Sequence, residues 1–149
     1  MANYLVVSVY PNENQESFCF FVNEKDSLTI DYTHSVQKTP VKEIFKFSKD
    51  NRLIMYKTIY QSYGVGLPYL PTEGKFEQKD DGKFILYMNR PFNSIPLRTG
   101  LEAKPKLYHN NVEYKVYSIY NPGTLLIIKE EKFYEYLITK MKGMSPNGR

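Results

Sequence analysis

Hydrophobic residues recur mostly at every second position, in short runs separated by polar, Gly- and Pro-containing clusters. That period is the signature of half-buried strands. Tyr4 to Tyr10 and Ser17 to Val22 predict a first hairpin across the polar loop Pro11 to Glu16. Asn23 to Asp26 then turns the chain into Ser27 to His34, where Leu28, Ile30, Tyr32 and His34 fall on one face and Thr29, Asp31 and Thr33 on the other. Val41 to Phe47 alternates as well. Pairing Ile30 with Phe45 gathers Leu28, Ile30, Tyr32, His34, Val41, Glu43, Phe45 and Phe47 on one face. A slip of one residue would mix them with Lys42 and Lys46. Arg52 to Ser62 predicts a long strand, broken by Gly64 and Gly66 and kept from resuming by Pro68 and Pro71. Gly74 to Lys79 and Lys83 to Asn89 predict a hairpin around Asp80-Asp81-Gly82. A short strand, Ile95 to Arg98, comes next. Lys104 to His109 and Val112 to Tyr120 predict another hairpin, with Asn110-Asn111 suited to a turn of positive φ. Thr124 to Lys129 is the last strand.

From Glu130 the period changes. Glu130 to Lys142 lacks Gly and Pro, and Tyr134, Leu137, Ile138 and Met141 share one helical face, expected to dock on the sheet. Acids lead and lysines trail, as a helix dipole favours, and Gly143 is a plausible stop. The expected architecture is all-β, a mainly antiparallel sandwich or partly open barrel of about nine or ten short strands, with one C-terminal helix. The β domain would span residues 1–129. The helix, 130–142, would pack on the same domain, and 143–149 would fray. No repeat, low-complexity tract or linker divides the chain.

Composition alters this picture little. A chain of 149 residues suits a single core, and 14 Tyr with 9 Phe suit a pleated surface. The net charge of +4 is scattered among acids, which reads as a solvated surface rather than a nucleic-acid stripe. The single cysteine, Cys19, excludes an internal disulfide and reads as a small buried hydrophobe within Ser-Phe-Cys-Phe-Phe-Val. No apolar run reaches the roughly 18 residues of a membrane span, and Met1-Ala2-Asn3 shows no signal-peptide pattern.

Chemistry concentrates in Asp31 to Glu43. The expected register sets Tyr32 opposite Glu43 and His34 diagonal to it on the inward face. Such a pair reads either as a structural clamp or as a ligand site, because a lone buried charge is costly. Thr33, Ser35 and Thr39 surround it, and Gln61 with the Gly64-Val65-Gly66 backbone would approach it. Arg98 adds a carboxylate- or phosphate-binding candidate. A hydrolase using His34 as base with Glu43 orienting it is an alternative, but Ser35 alternates away from His34 and no Gly-x-Ser-x-Gly elbow exists. No metal set is expected, since Asp31 falls on the opposite face from His34 and Glu43. No cofactor is expected either. His109 is expected to lie exposed in its turn. A further alternative is a pure interaction scaffold with an exposed Tyr-rich face.

Thr33-His34-Ser35-Val36, Thr39-Pro40-Val41 and Glu43, then Gln61-Ser62-Tyr63-Gly64-Val65-Gly66-Leu67-Pro68, Pro96-Leu97-Arg98-Thr99-Gly100 and Pro122-Gly123-Thr124-Leu125, together resemble the signature of an uncharacterised bacterial family of domains of unknown function. Its genes often lie beside those of TAXI-type TRAP transporters, which take up small organic anions. The resemblance covers about Leu28 to Lys129 and carries over no catalytic residue. It implies a non-enzymatic, extracytoplasmic accessory to solute uptake, membrane-associated or secreted, with transporter components or a small organic anion as partner and no nucleic acid. Family members commonly begin with a hydrophobic leader or anchor. If no leader belongs to this chain, the expected place is cytoplasmic.

Overall fold

The computed structural model describes residues 4–34, 36, 38–61 and 75–143. Eleven strands among them form two open antiparallel sheets. The smaller has the order β2(Phe18–Phe21), β1(Leu5–Pro11), β11(Leu125–Lys132), β8(Ile95–Arg98). The larger has the order β10(Val112–Tyr114), β9(Lys106–His109), β3(Ser27–Thr33), β4(Pro40–Phe47), β5(Leu53–Gln61), β7(Lys83–Phe92), β6(Lys75–Gln78). Alternation gives each sheet an apolar face, and the two faces meet. Val7, Val9, Leu126 and Ile128 of the smaller sheet pack with Leu28, Ile30, Phe45, Phe47, Leu53, Met55 and Leu107 of the larger. An all-β sandwich with a helix near its C-terminus is therefore the observed fold.

The β3–β4 hairpin differs from expectation by two residues: Ile30 pairs with Glu43, Leu28 with Phe45 and Tyr32 with Val41. Because the offset is even, every side chain keeps its expected face. The cause is a tighter turn. Lys38 adopts φ +57° and donates its N–H to the His34 carbonyl, while the His34 N–H donates to Thr39 O at 2.8 Å. On the outer face, Asp31 lies between Lys42 and Lys106 in register, so its expected lysine neighbours are present.

Three further differences concern the second half. Val112 to Tyr120 is not one strand. The strand stops at Tyr114, and a single turn, α1(Val116–Ile119), follows. A helical turn brings Val116 and Tyr120, both buried in the main core, to one side while Ser118 stays exposed. Continued strand would have carried Ser118 inward with them. Next, β11 runs on through Glu130 and Glu131 to Lys132, so the second helix, α2(Phe133–Met141), begins three residues later than expected. With no loop between strand and helix, the strand's exit sets the phase of the helix. Phe133 and Tyr136 pack on the outer face of the smaller sheet against Val6, Tyr10, Cys19 and Ile127. The face expected to dock, Tyr134, Leu137, Ile138 and Met141, points outward instead. Finally, His109 is buried, not exposed: its Nε2 lies 2.9 Å from Asp26 Oδ2 and its ring lies against Phe20.

Candidate functional site

Glu43 occupies the middle of the larger sheet. Across the strands it belongs to the row Leu107, Ile30, Glu43, Thr58, Leu86, whose other four members are buried. A carboxyl in such a row loses much of its hydration, and burial pushes its pKa above the usual carboxylate value. A hydrogen bond with the Tyr32 hydroxyl opposes that shift only in part. Glu43 itself remains partly accessible. The adjoining row, Tyr32, Val41, Tyr60 and Phe84, supplies aromatic walls, with Tyr60 stacked on Phe84 at 5.5 Å between centroids.

The two-residue offset moves His34 away from this carboxyl. His34 lies level with Thr39 at the hairpin end, and its Nδ1 accepts the Val36 N–H at 3.2 Å. In register Glu43 faces Ile30, four residues along β3 from His34, so His34 is not diagonal to Glu43 as expected. Thr33 donates its N–H to Ala103 O at 2.9 Å, and Lys38 pairs with Glu102 at 2.7 Å, so the β8–β9 connection braces the turn. Thr39 is 2% exposed, on the same face as Val41 and Glu43, and its Oγ1 has no hydrogen-bond partner among the described residues. Gln61 ends β5, partly buried and opposite Lys83. Ser35, Gly64 and Gly66 lie outside the described residues.

Arg98 belongs elsewhere. Its Nη1 donates to Gly123 O at 2.8 Å. Beside it, Thr99 Oγ1 donates to Asn121 O at 2.7 Å and accepts the Thr124 N–H at 2.9 Å, and the Thr99 N–H donates to Thr124 O. The Pro-Leu-Arg-Thr-Gly and Pro-Gly-Thr-Leu stretches are thus two halves of one clasp holding the ends of β8 and β11 together. Gly123, at φ +85°, makes the turn this clasp requires.

Two carboxyls escaped the sequence reading. Glu130 is 0% exposed on the inward face of β11, in line with Leu126 and Ile128. One oxygen accepts the Ser48 N–H at 2.8 Å, and the other, Oε2, has no partner among the described residues. Burial pushes this carboxyl up to about 7. Glu131, on the opposite face, accepts the Tyr10 hydroxyl at 2.5 Å, and burial together with that carboxylate pushes the phenol's pKa upward. The run Lys-Glu-Glu-Lys looks like a polar helix start, which hid both. The alternation of Leu126, Ile128 and Glu130 was the available signal. Among the described residues, no three His, Cys, Asp or Glu side chains converge as a metal-ligand group. An open groove of about 490 Å³, lined by Lys75, Phe76, Glu77 and Tyr87, lies at the β6–β7 edge, where Phe76 pairs with Leu86 at the outer end of the Glu43 row. No helix among the described residues is long and apolar enough to cross a membrane.

No curated protein and no solved structure matches the chain. A family model does match, over residues 28–116, the stretch that runs from β3 into α1 and contains Glu43, Thr39 and the Arg98–Thr99 half of the clasp. By that match the chain belongs to the family described as a domain of unknown function, DUF1850.

Proposed function

We propose that this protein is a non-enzymatic binding domain that takes a small organic acid at the Glu43 rows, as an extracytoplasmic accessory to the uptake of such solutes. The observation that carries the reading is Glu43 itself, a partly accessible carboxyl held in an apolar row with its pKa raised. An approaching carboxylate raises that pKa further, so the pair shares one proton and binds as an acid–carboxylate hydrogen bond. The Tyr32 hydroxyl, hydrogen-bonded to Glu43, adds a polar group beside it, and Tyr60 stacked on Phe84 supports the adjoining row. The link to transport rests on the motif resemblance, which also makes transporter components a partner.

The sign of the pH dependence follows. Binding takes up a proton, so affinity rises as pH falls through the Glu43 titration. The experiment is a thermal-shift titration with small mono- and dicarboxylates at about pH 5.5 and about pH 8. Wild type should be stabilised more at the lower pH, and Glu43→Gln, which keeps a hydrogen-bond donor, should bind with little pH dependence. Stronger binding at high pH would point to a cationic ligand and reject the proposal, as would no stabilisation by any acid at either pH.

A further inference from the structure

The helix α2 is docked the wrong way round for a helix that meets only water. A surface helix buries its apolar stripe and shows its polar one. Here Tyr134, Leu137, Ile138 and Met141, spaced i, i+3, i+4 and i+7, are 42%, 40%, 47% and 84% exposed. Phe133 and Tyr136 hold the other side against the smaller sheet. The stripe continues beyond the helix. Phe21 on the edge strand β2 lies 4.9 Å from Phe133 between ring centroids, and Tyr4 meets Phe21 edge to face at 5.8 Å. Phe21 and Tyr4 are themselves 54% and 59% exposed. Exposed apolar side chains gathered in one place mark an interaction surface.

Charge around the patch selects among occupants. Residues 132–142 carry Lys132, Lys140 and Lys142 against Glu135 alone. Glu135 is already engaged, accepting the Asn51 amide at 3.1 Å and the Lys132 N–H at 3.0 Å through one oxygen. Lys140 stands over the Tyr136 ring, with exposed Glu16 at 3.9 Å as its distant partner. Lys142 is exposed. A second copy of the chain would bring like charges to this rim. A flat anionic surface suits this rim, because lysine stems lie along apolar surface while their heads reach outward, and tyrosine suits the water boundary. We propose that the outward face of α2, with Phe21 and Tyr4, lies on an anionic lipid surface, with the helix axis in the membrane plane. This proposal is independent of the Glu43 site.

The test is co-sedimentation of the full chain with vesicles of phosphatidylcholine, with and without phosphatidylglycerol, at physiological ionic strength. Wild type should pellet with the anionic vesicles and remain largely in solution with neutral ones. Leu137→Ser/Met141→Ser should lower partitioning at least about tenfold, and Lys140→Gln/Lys142→Gln should lower it several-fold on anionic vesicles only. All four positions are exposed, so melting curves should stay at the wild-type value, which separates lost binding from lost folding. Wild type remaining in the supernatant overturns the proposal, and so do patch variants that pellet as well as wild type. Equal partitioning to neutral vesicles overturns the anionic commitment. A wild-type dimer in sedimentation equilibrium that Leu137→Ser/Met141→Ser makes monomeric assigns the face to a second copy instead.

Discussion

Replacing Glu130 with Gln should make the protein more resistant to alkaline pH. The carboxyl is fully buried, and its pKa is raised from 4.5 to about 7 by burial. A carboxyl whose folded pKa lies above its unfolded one stabilises the fold fully below the unfolded value. That contribution is lost as pH rises through the folded value. At 1.36 kcal/mol per unit, the full span is about 3 kcal/mol, of which about 2.5 kcal/mol falls between pH 5 and pH 8. Gln keeps an oxygen for the Ser48 N–H and cannot ionise. Urea unfolding of both proteins at pH 5 and pH 8 provides the assay. Other titrating groups act equally in both, so the difference between the two pH dependences isolates Glu130. The variant should match wild type within about 1 kcal/mol at pH 5 and exceed it by about 2 kcal/mol at pH 8. Parallel pH dependences in the two proteins, or a variant weaker at pH 8, would refute the assignment of a buried, reluctantly ionised carboxyl.

Thr99→Val removes the side chain that both donates to Asn121 O and accepts the Thr124 N–H. It should cost about 1–3 kcal/mol in chemical denaturation, and a loss under about 0.5 kcal/mol would deny the clasp an energetic role. Burial, reinforced by Glu131, pushes the Cys19 thiol upward, so its reaction with a disulfide reagent at neutral pH should be at least about tenfold slower than that of a free cysteine. Reaction at the free rate would show that α2 leaves the thiol open.

The strand pattern was legible because one inward face per strand leaves a period of two, and the inward sets of β3 and β4 survived even a mistaken register. The register itself was hidden in the turn, where Lys38 adopts a left-handed conformation that nothing in a lysine announces. That detail decides the candidate site, since it separates His34 from Glu43 while leaving Glu43 inward. The helix was legible in existence but not in orientation. Its apolar stripe was a sound reason to expect docking, and the directness of the Lys132–Phe133 junction prevented it. Glu130 and Glu131 were obscured because charged residues in sequence suggest solvent, whereas the pleat carries them to opposite buried faces. Arg98 suggested an anion anchor, and the carbonyl 25 residues away that one of its nitrogens meets was not visible in the sequence.

The most direct test of the proposed binding site follows two side chains by NMR, the Glu43 carboxyl carbon and the His34 imidazole, during titration with a pool of small organic acids at slightly acidic pH. His109, held by Asp26 beyond the other end of β3, is the internal reference. Saturable movement of Glu43 with a smaller movement of His34, while His109 stays still, is the predicted result. If Glu43 moves no more than His109 with any acid, the Glu43 rows are structural and the site does not bind this class of ligand.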